Sequence, residues 1–276
     1  MINREYPNQV HIEPATVCNA RCNFCPYPTS KRRGNIMDFS LIEKIINDLT
    51  ENLDHMYTII PVKLSEPFLD TRLEKILQLV SDKLPKATVY IPTNGSLLTP
   101  EKLIMVSKYN LKMICVSLNF FDKDNYEKNM CLDFENIIKN LHECDELYSL
   151  NKFQFPIQLS RVCDGTEYDN KFEDYVKKNF RNFSPWLKGR GNWLGNIENP
   201  IEDKHICSKK CGQYTNISIT STGDVSFCCM DGEAEYVYGN VKYEKAIDIF
   251  NKKERKQLRS GQISRSQIVP CINCTY

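Results

Sequence analysis

Three cysteines in the run Thr16-Val17-Cys18-Asn19-Ala20-Arg21-Cys22-Asn23-Phe24-Cys25 are spaced C-x3-C-x2-C near the N-terminus. Thiolates spaced this way can hold three irons of a 4Fe-4S cube and leave the fourth iron open to a small molecule. That asymmetry suits a catalytic cluster. A structural zinc site wants four closed ligands, and no fourth lies beside these three.

Six more cysteines gather at the other end of the chain, Cys207, Cys211, Cys228, Cys229, Cys271 and Cys274, while Cys115, Cys131, Cys144 and Cys163 stand singly. Thirteen cysteines in 276 residues exceed what packing needs, and two groups imply two metal sites. The chain opens Met-Ile-Asn-Arg-Glu-Tyr-Pro, without the apolar core of a signal peptide, and has no apolar run long enough to span a bilayer. A cytoplasmic, reducing location is expected, which favours metal over disulfides. With 36 basic against 35 acidic residues, neither nucleic acid nor an anionic membrane is implied as a partner.

The elements that must position these cysteines alternate short β-branched runs with longer helical stretches, a βα pattern expected to form a parallel sheet. Strands are expected near Val10-Glu13, Thr58-Leu64, Ala87-Pro92, Met113-Leu118, Phe155-Ser160 and Phe183-Leu187. Helices are expected over Phe39-Leu53, Asp70-Leu84, Pro100-Tyr109, Phe134-Tyr148 and Tyr168-Phe180. The fold class is α/β, a partial (β/α)6 TIM-like barrel, and barrels of that kind keep their chemistry at the C-terminal strand ends, where the first triplet falls. Alternation turns His11 and Glu13 inward as a polar pair, together with Cys115, Ser117, Asn119, Gln158 and Ser160. After a glycine-rich stretch around Gly189 to Gly195 a smaller module begins, with a hairpin of Ile217-Thr220 and Val225-Phe227 and a helix over Tyr243-Leu258. The expected division is 1–195 for the barrel and 196–276 for the second module.

With Phe24 at the aromatic position of C-x3-C-x-aromatic-C, the triplet after a first strand resembles the signature of the radical S-adenosylmethionine (SAM) superfamily. Leu64-Ser65-Glu66-Pro67 resembles that family's Gly-Glu-Pro motif, with Ser65 in place of glycine, and Thr93-Asn94-Gly95 and Val116-Ser117-Leu118-Asn119 resemble its third- and fourth-strand segments. The resemblance implies a 4Fe-4S cluster on Cys18, Cys22 and Cys25. It further implies SAM contacts from Phe24, Glu66, Asn94, Ser117 and Arg161, Arg161 reaching the site only where its strand has ended. At the other end, Cys211, Gly223, Cys228, Cys271 and Cys274 resemble the start of the SPASM pattern in the truncated form called twitch. This implies one auxiliary 4Fe-4S cluster on Cys211, Cys228, Cys271 and Cys274, with Cys229 or Cys207 as alternatives to Cys228.

By the same resemblance, the chemistry implied is hydrogen abstraction by a 5′-deoxyadenosyl radical. The expected reaction is oxidation of an alcohol on a sugar or aminocyclitol, with the auxiliary cluster taking an electron. A flavodoxin- or ferredoxin-type donor would supply the reducing electron. Alternatives are a redox-neutral epimerase of a sugar or peptide residue with Cys163 returning hydrogen, an enzyme modifying a ribosomal peptide, and an iron–sulfur electron-transfer protein.

Overall fold

The computed structural model describes residues 4–198, 211–272 and 274–275. Six parallel strands run β1 (Gln9–Ile12), β2 (Thr58–Ile60), β3 (Thr88–Thr93), β4 (Leu111–Val116), β5 (Ile157–Val162) and β6 (Phe183–Lys188). Each pairs with its sequence neighbour, giving the order β6-β5-β4-β3-β2-β1. The crossovers carry α1 (Phe39–Leu49), α2 (Leu73–Lys83), α3 (Pro100–Ser107), α4 (Lys123–Met130), α5 (Phe134–Asn151) and α6 (Glu167–Asn179). Their starts follow from local chemistry: Thr99, Asp122 and Asp133 each accept a hydrogen bond from a backbone N–H in the first helical turn.

Register sorts the strand residues onto two faces. Val10 aligns with Ile59 and Ile217, and Ile114 with Ile91 and Ile157. All are buried in one apolar core with Ile42, Ile45, Ile46 and Leu49, the apolar stripe of α1. The opposite, inner face carries His11 beside Ile60 and Ser218, and Cys115 between Pro92 and Gln158. The inward parity expected for His11, Cys115 and Gln158 therefore holds.

The second module does not stand apart. Strand β7 (Asn216–Ile219) pairs in parallel with β1, and β8 (Asp224–Ser226) and β9 (Val237–Asn240) continue antiparallel, making one sheet of nine strands among the described residues. The expected hairpin is present, turning at Gly223, whose φ of +89° suits a residue without a Cβ. The single helix expected over Tyr243-Leu258 is two, α7 (Ala246–Phe250) and α8 (Lys253–Ser260). Asn251 breaks it, its side chain exchanging hydrogen bonds with the backbone of Glu5. A last turn, α9 (Val269–Ile272), carries Cys271. No helix among the described residues is long and apolar enough to cross a membrane.

Candidate active site

The loop that leaves β1 begins with the fully buried Glu13. Its carboxylate accepts from Arg32 Nη1 at 2.5 Å, from the Leu64 amide at 2.9 Å and from the Ser221 amide at 3.1 Å. Arg32 in turn donates to the Gly232 carbonyl at 2.6 Å. One ion pair thus fastens the cysteine loop to the end of β2, to the β7–β8 turn and to the second module. The loop is closed across its base by Thr16 and Asn35, 2.8 Å apart, and capped where Trp193 Nε1 donates to the Phe24 carbonyl at 3.2 Å. The expected pairing of Glu13 with His11 is replaced by this ion pair, because Arg32 meets the carboxylate from the loop side.

Within the loop the thiols of Cys18, Cys22 and Cys25 lie in electrostatic range of one another. Burial pushes Cys18 up to about 11 and Cys25 up to about 12, and burial, then Cys25 and Cys18, push Cys22 higher still. Such thiols are neutral until a metal takes the proton's place. The cradle suits bound thiolates: backbone N–H groups of Ala20 and Tyr27 point at Cys18 Sγ and Cys25 Sγ at 3.4 and 3.5 Å, and Asn94 Nδ2 lies 3.9 Å from Cys18 Sγ. Hydrogen bonds to sulfur are one of the ways a protein stabilises and tunes a cluster. Among the described residues no three His, Cys, Asp or Glu side chains are drawn together as ligands of a single metal ion would be.

Glu66 is buried in the loop after β2, where its carboxylate accepts from Thr93 Oγ1 at 2.7 Å, the Asn94 amide at 2.7 Å and the Phe68 amide at 3.2 Å. Burial raises its carboxyl to about 7 against these hydrogen bonds. A carboxylate has about four lone-pair sites, so one remains for an incoming ammonium. Two polar atoms nearby are buried without a hydrogen-bond partner, Ser65 Oγ and Tyr126 OH, and Tyr126 senses the charge of both Cys22 and Glu66. Orphaned polar atoms between a thiol triplet and a carboxylate are what an absent polar ligand leaves behind, so the residues present fit SAM. Asn94 bridges Cys18 and Asn19, and the turn after it needs glycine: a Cβ on Gly95 would sit 2.6 Å from Val116. Ser117 follows β4 half-buried, its amide bonded to the Thr93 carbonyl at 2.8 Å.

Two expected site residues are not brought to this place. Arg161 shares the helix-covered face with Leu159, fully enclosed. Its guanidinium donates to Asp169 at 2.7 Å, Asp164 at 2.5 Å and the Asn119 carbonyl at 2.7 Å, and lies over the Tyr168 ring. Cys163 has the same parity, and its thiol meets Asp169. Both serve the junction of β5 with α6.

The inner face carries groups that no sequence motif singles out. Lys63 donates to Ser226 Oγ at 2.6 Å, and Ser226 aligns with Ser218 on β7, itself beside His11. His11 Nε2 and Ser218 Oγ are buried without hydrogen-bond partners. Burial, then the Lys63 charge, lower His11 to about 4, leaving a neutral imidazole.

In the second module the core is itself built of cysteines. Tyr214, Phe227, Cys228, Met230, Leu258 and Cys271 pack together, with Cys211 and Cys229 against them. Tyr214 OH lies 3.3 Å from Cys271 Sγ and Cys229 Sγ 3.1 Å from Gln213 Oε1. Beyond burial, Cys229 feels the charges of Lys63, Cys211 and Cys274, and Cys228 those of Cys229 and Lys63. Cys274 is buried, and Cys207 lies outside the described residues.

The radical SAM superfamily model matches residues 12–154, and the model for SPASM, an iron-sulfur cluster-binding domain, matches residues 207–275. The chain belongs to the radical SAM superfamily, and the two domains together imply a SAM-binding 4Fe-4S cluster, SAM and auxiliary iron–sulfur binding. Among relatives, it is 24% identical over 277 residues to the S-adenosyl-L-methionine-dependent 2-deoxy-scyllo-inosamine dehydrogenase of Niallia circulans, covering 97% of this chain and 92% of that protein. It is 22% identical over 171 residues to a GTP 3′,8-cyclase of Alkaliphilus oremlandii, covering 62% of this chain and 52% of the cyclase. Among solved structures, BtrN in complex with AdoMet and 2-DOIA superposes with a TM-score of 0.68 at 18% identity, covering 99% of this chain and 94% of that one. Streptococcus suis SuiB bound to S-adenosylmethionine gives 0.63 at 17% identity, covering 93% and 68%. At these identities the structural likeness is one of fold.

Proposed function

We propose that this radical SAM enzyme oxidises a secondary alcohol on a small polyhydroxylated or amino-bearing ring to a ketone. In this reading residues 1–195 hold the SAM-binding cluster through Cys18, Cys22 and Cys25. Residues 196–276 hold one auxiliary cluster through Cys211, Cys271, Cys274 and one of the adjacent pair, with Cys229 favoured over Cys228 by its neighbours. The observation that carries the reading is the inner face: a neutral imidazole, two serines and a lysine, with His11 Nε2 and Ser218 Oγ unpaired, form a place that hydroxyl groups would complete. The dehydrogenase relative, aligned over almost the whole chain, supports the same direction.

When bound, the cluster and SAM supply a carbon-centred radical able to take a hydrogen atom from an unactivated C–H bond. The protein's own task is to hold the carbinol carbon still and dry against the inner face that carries His11 and Ser218. Oxidation to the ketone removes one hydrogen atom, one proton and one electron from the carbinol: His11 Nε2 would accept the hydroxyl proton, SAM would supply the hydrogen-atom acceptor, and the cluster that Cys211, Cys271, Cys274 and one of the adjacent pair would hold would supply the electron acceptor. Lys63 and Ser226 hold a neighbouring hydroxyl, and the electron that starts each turnover comes from a flavodoxin- or ferredoxin-type donor. The test is anaerobic turnover with SAM, dithionite and 2-deoxy-scyllo-inosamine as probe. Ketone and 5′-deoxyadenosine in equal amounts are expected, whereas a product at the oxidation level of the probe contradicts the reading.

A further inference from the structure

Two arginines of the second module are buried where a cation is costly. Arg255 on α8 is 3% exposed and makes no ion pair among the described residues. Its Nη2 donates to the Asn216 carbonyl at 2.7 Å, but Nε and Nη1 have no hydrogen-bond partner. The guanidinium lies 4.7 Å from the centre of the Tyr238 ring and 5.3 Å from that of Phe250, between two π faces and no carboxylate. Tyr238 and then the Cys228 thiol are the groups near enough to favour its charge, and Arg259 adds a second positive charge. Arg265, 5% exposed, hydrogen-bonds the Cys274 thiol and lies in electrostatic range of Cys211 and Cys271. A buried guanidinium keeps its proton, so it is destabilising unless an anion offsets it.

Four thiolates around a 4Fe-4S core make a net anion, and one more electron makes it more negative. Net charge and hydrogen bonds to the sulfurs set such a cluster's reduction potential. We propose that Arg255 and Arg265 are positioning residues for the auxiliary cluster that raise its reduction potential, so that it accepts the electron released by the substrate. This rests on the ligand assignment made above. Arg265 acts at the sulfur of Cys274, where a hydrogen bond withdraws charge. Arg255 acts through space from behind the Tyr238 ring, which packs against the cysteine-bearing core, with Nε and Nη1 unpaired. The two charges come from separate elements, one from α8 and one from the turn before α9.

The test uses the full chain carrying Cys18→Ala, Cys22→Ala and Cys25→Ala, which leaves a single cluster to observe. After anaerobic reconstitution, iron and sulfide are counted and the cluster is titrated by EPR against potential. Arg255→Gln and Arg265→Gln should each shift the midpoint to more negative potential at unchanged iron content, with Arg→Lys at either position giving a smaller shift in the same direction. Glutamine variants that load fully and titrate with the unsubstituted chain overturn the proposal. Should a glutamine variant fail to load iron, its lysine counterpart decides: a midpoint equal to that of the parent overturns the proposal. A parent that binds no cluster at all contradicts the ligand assignment instead, which keeps the two failures apart.

Discussion

At the residue scale, burial shifts the protonation equilibria of two site side chains in opposite directions. Glu66 retains its proton up to about 7 in the fold because burial disfavours the carboxylate. Its folded value lies above its unfolded value, so the native state binds the extra proton and stability falls as pH rises between the two. Glu66→Gln should therefore gain on the parent chain by about 3 kcal/mol between roughly pH 5 and pH 8, read from urea unfolding of the metal-free proteins. A difference that does not change with pH contradicts the buried, protonated state. His11 is perturbed the other way and presents a free Nε2. If it takes the hydroxyl proton, His11→Ala should lower ketone formation about 100-fold while 5′-deoxyadenosine still forms, measured by quantifying both products. An equal loss of both would place His11 in binding instead.

At the element scale, the loop that carries Cys18, Cys22 and Cys25 is short of regular structure and is held by the Glu13–Arg32 ion pair. Arg32→Ala would leave a buried carboxylate without its partner, and a loss of about 3 to 5 kcal/mol is expected in urea unfolding, much of it recovered in Glu13→Gln with Arg32→Met. A cost under about 1 kcal/mol would show that the strut carries no weight. The six parallel strands and five of the helices between them are legible in the sequence because alternation and turn residues are local signals. The triplet, the Glu66 and Asn94 segments and the hairpin are legible for the same reason. What stays hidden depends on distant parts of the chain. The parallel pairing of β1 with β7 joins Gln9 to Asn216, which no local pattern records, and with it goes the Ser218 and Lys63 side of the inner face. Helix α4 escapes the sequence reading, since it is short and polar and owes its start to Asp122 and its end to Cys131 in the left-handed region. Arg161 misleads for a different reason. A cation near the end of β5 suits an anionic ligand, but its parity puts it under α6 with Asp164 and Asp169.

At the scale of the whole molecule, the sheet of nine strands among the described residues joins the barrel to the second module. The second module supplies the strand beside β1, the Gly232 carbonyl that holds Arg32, and the Ser221 contacts to Glu13 and Thr16. A chain stopping at Gly195 should thus expose the β1 edge and aggregate, seen as loss of the monomer peak in size-exclusion chromatography. A stable monomer would mean that the barrel does not need its neighbour. In the proposed reaction the two cysteine groups divide the labour, one for an open cluster that works with SAM and one for a closed cluster that receives an electron. The most direct measurement is iron content and 5′-deoxyadenosine formation in the reconstituted parent chain and in the Cys18→Ala, Cys22→Ala, Cys25→Ala variant. The parent should hold about eight irons and cleave SAM, and the variant about four with no cleavage. A variant that still cleaves SAM, or that loses all of its iron, contradicts the account.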